Sequence, residues 1–167
     1  MIKFATFLLA AGVCSTGVAH ADETAFLHSL DGSWVGSGTV TVRADASPMK
    51  VSCKLETQTT ASSLALNGKC NSFVIFSRVI GADLNVKGDT YSGSYVGAGT
   101  GTAGLSGKRY GSSINLDIRW AKDVNGDRAA KMTIEKVGKT GMRLKTSDTH
   151  PTTGESIITS LIDLKRT

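Results

Sequence analysis

Two cysteines, Cys53 and Cys70, are the residues of this chain best placed to form a covalent link. Residues 57–63 between them could fold their two segments into neighbouring strands. A redox-active pair usually has the spacing Cys-x-x-Cys, and a zinc site would need two more ligands nearby. In an oxidising compartment the pair therefore predicts one structural disulfide.

A Gly-x-Gly-x-x-Gly pattern runs from Gly99 to Gly104. In a dinucleotide site this pattern must open a helix within a βαβ unit, whereas a predicted strand beginning at Ser112 follows here. We interpret the match as chance. The sequence favours a flexible turn or bulged strand within residues 97–107, and a mobile loop at the mouth of a barrel is the functional alternative.

The acidic segment 123–127 has the composition of a calcium loop but not its spacing. An EF-hand loop needs glycine at its sixth position and glutamate at its twelfth, whereas Gly126 is the fourth residue here. Asn125-Gly126 is typical of a hairpin turn, because this dipeptide adopts positive φ at little cost. No metal site is predicted.

The sequence contains no recognisable catalytic set. It has no Gly-x-Ser-x-Gly motif, and His28 and His150 are isolated histidines that give little chance of a Ser-His-Asp arrangement. A carboxylate pair acting on a glycan stays open, since any two of the 14 acidic residues could meet in space. We expect a protein that is not an enzyme.

A candidate binding site lies around one predicted hairpin, where Arg119, Trp120, Lys122 and Arg128 could attract an anionic group. A solvated turn is the alternative interpretation. The formal net charge is +5, but the basic residues are scattered along the chain. Because nucleic-acid binding needs a clustered basic surface with stacking aromatics, we expect no nucleic-acid partner.

The first 21 residues have the pattern of a cleavable secretory signal. Lys3 is followed by an apolar stretch from Phe4 to Val18, and Ala19-His20-Ala21 forms a small-x-small cleavage site. Cleavage after Ala21 removes Cys14 and leaves residues 22–167 as a single domain. We expect a periplasmic or secreted protein that is not transmembrane, since no long apolar run remains.

Alternating apolar and polar residues predict an all-β domain. The clearest strand is 112–120, where Ile114, Leu116, Ile118 and Trp120 share one face and Arg119 points the other way. Turn sequences such as Asn67-Gly68 and Asn125-Gly126 separate short strands. The further strands are predicted at residues 34–43, 49–56, 64–70, 73–80, 91–97, 131–135, 142–146 and 156–164. This spacing indicates a closed barrel or a sandwich, with one short helix at 23–30.

Residues 32–38, Gly-Ser-Trp-Val-Gly-Ser-Gly, follow the predicted helix and open the first strand. This opening resembles that of calycin-type barrels, the lipocalins and their smaller relatives. The resemblance implies an antiparallel up-and-down barrel of about 8–10 strands in which Trp34 closes one end, with a weaker role in ligand contact. Nitrobindin-type haem proteins share the opening, but no haem-ligand motif matches, so no cofactor is predicted. The chain also resembles periplasmic families of Gram-negative bacteria.

These observations favour a barrel that binds a small hydrophobic or anionic ligand or acts with a protein of the cell envelope. Trp34, Trp120, Arg119 and Arg128 are the candidate ligand-binding residues. The alternative is a protease or lysozyme inhibitor, because small periplasmic inhibitors combine a similar Gly-x-Trp opening, a compact barrel and one disulfide.

Overall fold

The computed structural model describes residues 18–72 and 77–167. Most of the predicted signal segment and the first four residues of the predicted strand 73–80 therefore lie outside the described residues. One helix, α1, spans Val18–Leu30. The strands are β1 Gly32–Val40, β2 Met49–Thr59, β3 Ser63–Asn71, β4 Ser77–Lys87, β5 Thr90–Val96, β6 Ala103–Tyr110, β7 Ser113–Val124, β8 Asp127–Val137, β9 Gly141–Thr149 and β10 Ser156–Arg166.

The ten strands form a closed antiparallel barrel in which each strand pairs with the next along the chain and β1 pairs with β10. The predicted up-and-down barrel with a short N-terminal helix is confirmed, and the closed ladder excludes the sandwich. Inward positions follow the period of two. On β7, Ile114, Leu116, Ile118 and Trp120 are buried while the residues between them are exposed.

The barrel has two different ends. The helix end carries α1 and the short connections at residues 60–62, 88–89, 111–112 and 138–140. The mouth is the opposite end, where residues 41–48, 97–102, 125–126 and 150–155 connect the strands. Because the strands alternate in direction, successive connections fall at alternate ends of the barrel. The connections at the helix end are all short, whereas most of those at the mouth are longer.

At the helix end, α1 closes the barrel with apolar side chains. Leu27 and Leu30 are fully buried against Trp34. The Trp34 Nε1–H donates to the Leu30 carbonyl at 3.2 Å and to Thr57 Oγ1 at 2.9 Å, while the guanidinium of Arg166 lies 4.4 Å from the indole ring centre. The predicted role of Trp34 in closing one end of the barrel is confirmed.

A buried ionic network joins α1 to the strands. Glu23 accepts hydrogen bonds from the Tyr91 hydroxyl and, at 2.9 Å, from Arg109 Nε, while Arg109 also pairs with Asp22. Burial, followed by the bond to Glu23, raises the pKa of Tyr91 above its usual range. Arg109 also lies 4.7 Å from the ring centre of Phe26, so charge and packing both fix the helix.

Three sequence expectations need correction. Asn67-Gly68 is not a turn but part of β3, where a Cβ on Gly68 would lie 2.3 Å from both Leu55 Cδ2 and the Lys54 carbonyl. Within residues 97–107 the predicted turn is present at 97–102, but residues 103–107 belong to the regular strand β6 and form neither a turn nor a bulge. The helix begins at Val18 rather than Glu23.

Within the described part of the chain, no helix has the length and apolarity needed to cross a membrane.

Candidate ligand-binding cavity

The half of the barrel nearest the mouth encloses a cavity of about 660 Å³. Its wall is mostly apolar and includes Leu66, Ile80, Met132, Ile134, Leu144 and Ile162. Small inward side chains, Cys70 and Ala82, leave this space open. Toward the helix end the inward positions are occupied by fully buried large residues such as Leu64, Tyr91 and Ile114, so the barrel interior is filled at one end and open at the other.

The Cys53–Cys70 disulfide reinforces the cavity wall. The two residues face each other directly on β2 and β3, both are buried, and the disulfide between them is present as predicted. Cys70 lines the cavity, and it lies directly opposite Arg78 on the neighbouring strand β4. Cross-linking β2 to β3 at this level holds the wall on which Arg78 lies.

Polar groups gather on the wall formed by β4, β5, β7 and the connection 97–102, here called the donor wall: Arg78, Tyr95, Thr100 and Trp120. Arg78 Nη1 donates to the Gly97 carbonyl at 3.1 Å, and the Tyr95 and Trp120 rings lie 6.0 Å apart. Burial raises the pKa of Tyr95 to about 12, with Arg78 opposing the shift, so this phenol stays neutral at physiological pH.

Glycines allow the connection 97–102 to pack closely against β4 and β7. A Cβ at Gly99 would lie 2.3 Å from Arg78 Nη1, and one at Gly101 would lie 3.3 Å from the Ala121 methyl group. Both residues also have positive φ, at 77° and 106°. The glycine pattern at residues 99–104 thus lies at the barrel mouth, which is where the functional alternative of a mobile loop placed it.

Another part of the mouth contains acidic side chains and is internally bonded. Asn125, in a left-handed conformation with φ of 54°, donates to Asp148 at 2.7 Å and accepts a hydrogen bond from the Ala44 amide at 2.9 Å. These bonds tie the connection 41–48 to the β7–β8 turn. The predicted turn at Asn125-Gly126 is confirmed, and it fixes one rim of the mouth.

The two histidines lie at different ends. His150 lies at the mouth, where its Nδ1 accepts hydrogen bonds of 3.3 Å from the amides of Thr152 and Thr153, a turn-capping contact. His28 is exposed on α1, with Nδ1 3.3 Å from the Thr59 hydroxyl. Among residues 18–72 and 77–167, no group of three or more His, Cys, Asp or Glu side chains could hold a metal ion.

The four candidate ligand-binding residues are spread over three places. Trp120 lines the cavity, whereas Trp34 lies at the helix end. Arg119 and Arg128 are exposed beside each other on the outer face, around a shallow groove with Asp117 and Ala129. The proposal that they bind an anion stays a prediction, and it concerns the outside of the barrel.

Arg128 nevertheless acts on the cavity indirectly. The pairing of β7 with β8 is irregular between Arg119 and Val124, and within this irregularity Arg128 Nε donates to the Trp120 carbonyl at 2.8 Å. The bond occupies a carbonyl that the irregular ladder leaves without its usual strand partner. Arg128 is therefore a positioning residue for Trp120.

Sequence reasoning missed Arg78 and Thr100. Arg78 shares the parity of Ile80, Ala82 and Leu84 along β4, so period-two alternation was the signal that could have placed its charge inside the barrel. Thr100 lies in a connection, where no periodicity indicates which way a side chain points.

No family model matches the sequence, and no curated protein gives a significant match. Among solved structures, the barrel is similar to the crystal structure of Rv2717c from M. tuberculosis, with a TM-score of 0.65 and 13% sequence identity over 84% of this chain and 94% of that one. At this identity the similarity concerns the fold alone, and it agrees with the barrel that residues 32–38 predict.

Proposed function

We propose that this protein binds a small, largely apolar molecule in the barrel cavity and that it is not an enzyme. The observation that carries the proposal is an apolar cavity of about 660 Å³, open at one end of a barrel whose other end is solidly packed. Small-molecule sites commonly have this size and character. Water in an apolar cavity finds few hydrogen-bond partners, so its displacement by an apolar ligand makes the free energy of binding more favourable.

Export to the periplasm or the extracellular space is part of the proposal. The N-terminal sequence pattern and the Cys53–Cys70 disulfide support it. The contacts described for α1 involve Asp22, Glu23, Leu27 and Leu30, all of which follow the proposed cleavage site after Ala21. A chain processed there keeps these helix-end contacts.

The test is a titration of the secreted protein with N-phenyl-1-naphthylamine, an apolar fluorophore that brightens in apolar surroundings. We expect saturable binding. Ala82→Phe fills the cavity and should weaken binding by at least about tenfold, and Ala82→Leu provides a smaller change if the first variant folds poorly. Ala129→Phe adds the same bulk to the exposed outer face and should bind like the wild type.

Two outcomes would contradict the proposal. Wild-type protein that shows no saturable binding lacks an accessible cavity, and inhibition of a secreted protease or a lysozyme by that protein would favour the inhibitor alternative. Binding that Ala82→Phe leaves unchanged would place the ligand elsewhere. The visible absorption spectrum of the same preparation checks the prediction that no coloured cofactor is held.

A further inference from the structure

Two buried polar atoms of the donor wall have no hydrogen-bond partner. Across residues 18–72 and 77–167, the buried side-chain atoms in this state are Trp120 Nε1 and Thr100 Oγ1. An indole N–H can only donate, and a buried donor left unpaired costs free energy, so native proteins rarely retain one without a function. Both residues line the cavity.

The two unpaired groups belong to one small region together with Arg78. Gly101, the neighbour of Thr100, packs against Ala121, the neighbour of Trp120. Arg78 holds the other end of the same connection through the Gly97 carbonyl. A hydroxyl, an indole N–H and a positive charge therefore border the same side of the cavity.

Two of the acidic groups at the mouth have partners of their own. Asp148 accepts hydrogen bonds from Asn125 and from the Thr149 amide, and Asp45 lies 3.5 Å from Arg43. Asp123 lines the cavity and is exposed at the end of β7, the strand that carries Trp120. An anion in the cavity would be attracted to Arg78 on the donor wall and repelled by the acidic groups at the rim of the mouth.

We propose, on the basis of the ligand-binding function above, that the ligand is an amphiphile with an anionic head group, a carboxylate or a phosphate, that accepts hydrogen bonds from Trp120 and Thr100 beside Arg78. Its apolar part lies against Leu66, Met132 and Ile134. The glycines of the connection 97–102 let the backbone adjust around the head group, because they have no side chains to displace.

The experiment measures how well decanoate, decyl phosphate, decanol and decylamine displace N-phenyl-1-naphthylamine. We expect one of the two anions to displace the fluorophore at a concentration at least about tenfold lower than decanol or decylamine, since a hydrogen bond to a charged group contributes about that factor. The better anion identifies the head group as carboxylate or phosphate.

Variants assign the effect to individual groups. Trp120→Phe removes the N–H and keeps an aromatic ring, and it should weaken the anion about tenfold while fluorophore affinity changes less than about twofold. Thr100→Val should act in the same direction, and Arg78→Gln should abolish the preference for anions over decylamine. Trp34→Phe is the matched control, because it removes an indole N–H at the helix end.

Equal displacement by all four compounds overturns this inference and leaves the proposed function intact. An anion preference that survives in Trp120→Phe, Thr100→Val and Arg78→Gln also overturns it, since the donor wall would not be the cause. Failure of the fluorophore to bind the wild type contradicts the proposed function, and with it the head-group assignment.

Discussion

The helix end and the mouth treat buried polar groups in opposite ways. At the helix end, Glu23 is bonded to Tyr91 and Arg109, and Thr57 is bonded to Trp34 and to two backbone carbonyls. At the mouth, Trp120 Nε1 and Thr100 Oγ1 are buried without partners beside an open cavity. This difference indicates that the helix end contributes to folding stability, while the mouth has buried polar atoms that remain available for hydrogen bonds to a ligand.

We expect the largest loss of folding stability when the ionic network of the helix end is broken. Glu23→Ala leaves Arg109 and Tyr91 without their shared acceptor in a mostly buried site, and we expect the free energy of unfolding to fall by about 3 kcal/mol. Urea denaturation measures it. Asp22→Ala is the control, because Asp22 is mostly exposed and its pair with Arg109 should contribute at most about 1 kcal/mol. Equal losses in both variants would contradict the distinction.

A smaller difference in folding stability is expected between variants of two leucines on one strand. Leu64 and Leu66 both point inward from β3, but Leu64 lies in the packed half and Leu66 lines the cavity. Leu64→Ala creates a new void and should cost about 3 kcal/mol. Leu66→Ala only enlarges an existing space and should cost about 1 to 2 kcal/mol less, because fewer contacts are lost. Thermal and urea denaturation of the two variants should reveal this difference, and identical losses would mean that the halves are equally packed.

A third effect concerns alkaline pH. The folded-state pKa of Tyr91 and of Tyr95 lies above the value of about 10 for an unfolded tyrosine. The stability that comes from keeping these phenols neutral is therefore fully present below about pH 10 and is lost as pH rises toward 12. We expect the urea midpoint of the wild type to fall over this range.

Substitution separates the two tyrosines by position. Tyr95→Phe should make the alkaline loss less steep and change stability little at pH 7. Tyr91→Phe should also lower stability at pH 7, because it removes the bond to Glu23. A urea midpoint that Tyr95→Phe leaves unaltered throughout the alkaline range would contradict the assignment.

The fold could be predicted further than the site. Alternation on β7 and β2, together with residues 32–38, gave the barrel and the role of Trp34 at one end, because periodicity and a local motif are properties of contiguous sequence. Strand β6 was missed since Gly104 and Gly107 weaken its alternation and β-propensity. Asn67-Gly68 was assigned to a turn because Leu55, which packs over Gly68, is distant in sequence.

The cavity depends on contacts that no local pattern contains. The parity of Arg119 and Trp120 placed them on opposite faces of β7, as the structure has them. The meeting of Trp120 with Tyr95, Thr100 and Arg78 results from the closure and register of β4 to β7, which one sequence does not specify. The space itself follows from the small residues Cys70 and Ala82, whose neighbours are known only after closure.

The pairing of β1 with β10 has a consequence for folding. Arg166, at the end of β10, donates to the Ser29 and Asp31 carbonyls at the end of α1, and the Thr167 amide donates to the Ser33 carbonyl of β1 at 3.0 Å. The carbonyls at the C-terminal end of α1 are thus capped by Arg166 of β10, a residue distant in sequence. Contacts this distant in sequence form slowly. A chain that emerges N-terminus first can close its barrel only after β10 has emerged to pair with β1, and a truncation that removes Arg166 would weaken that closure.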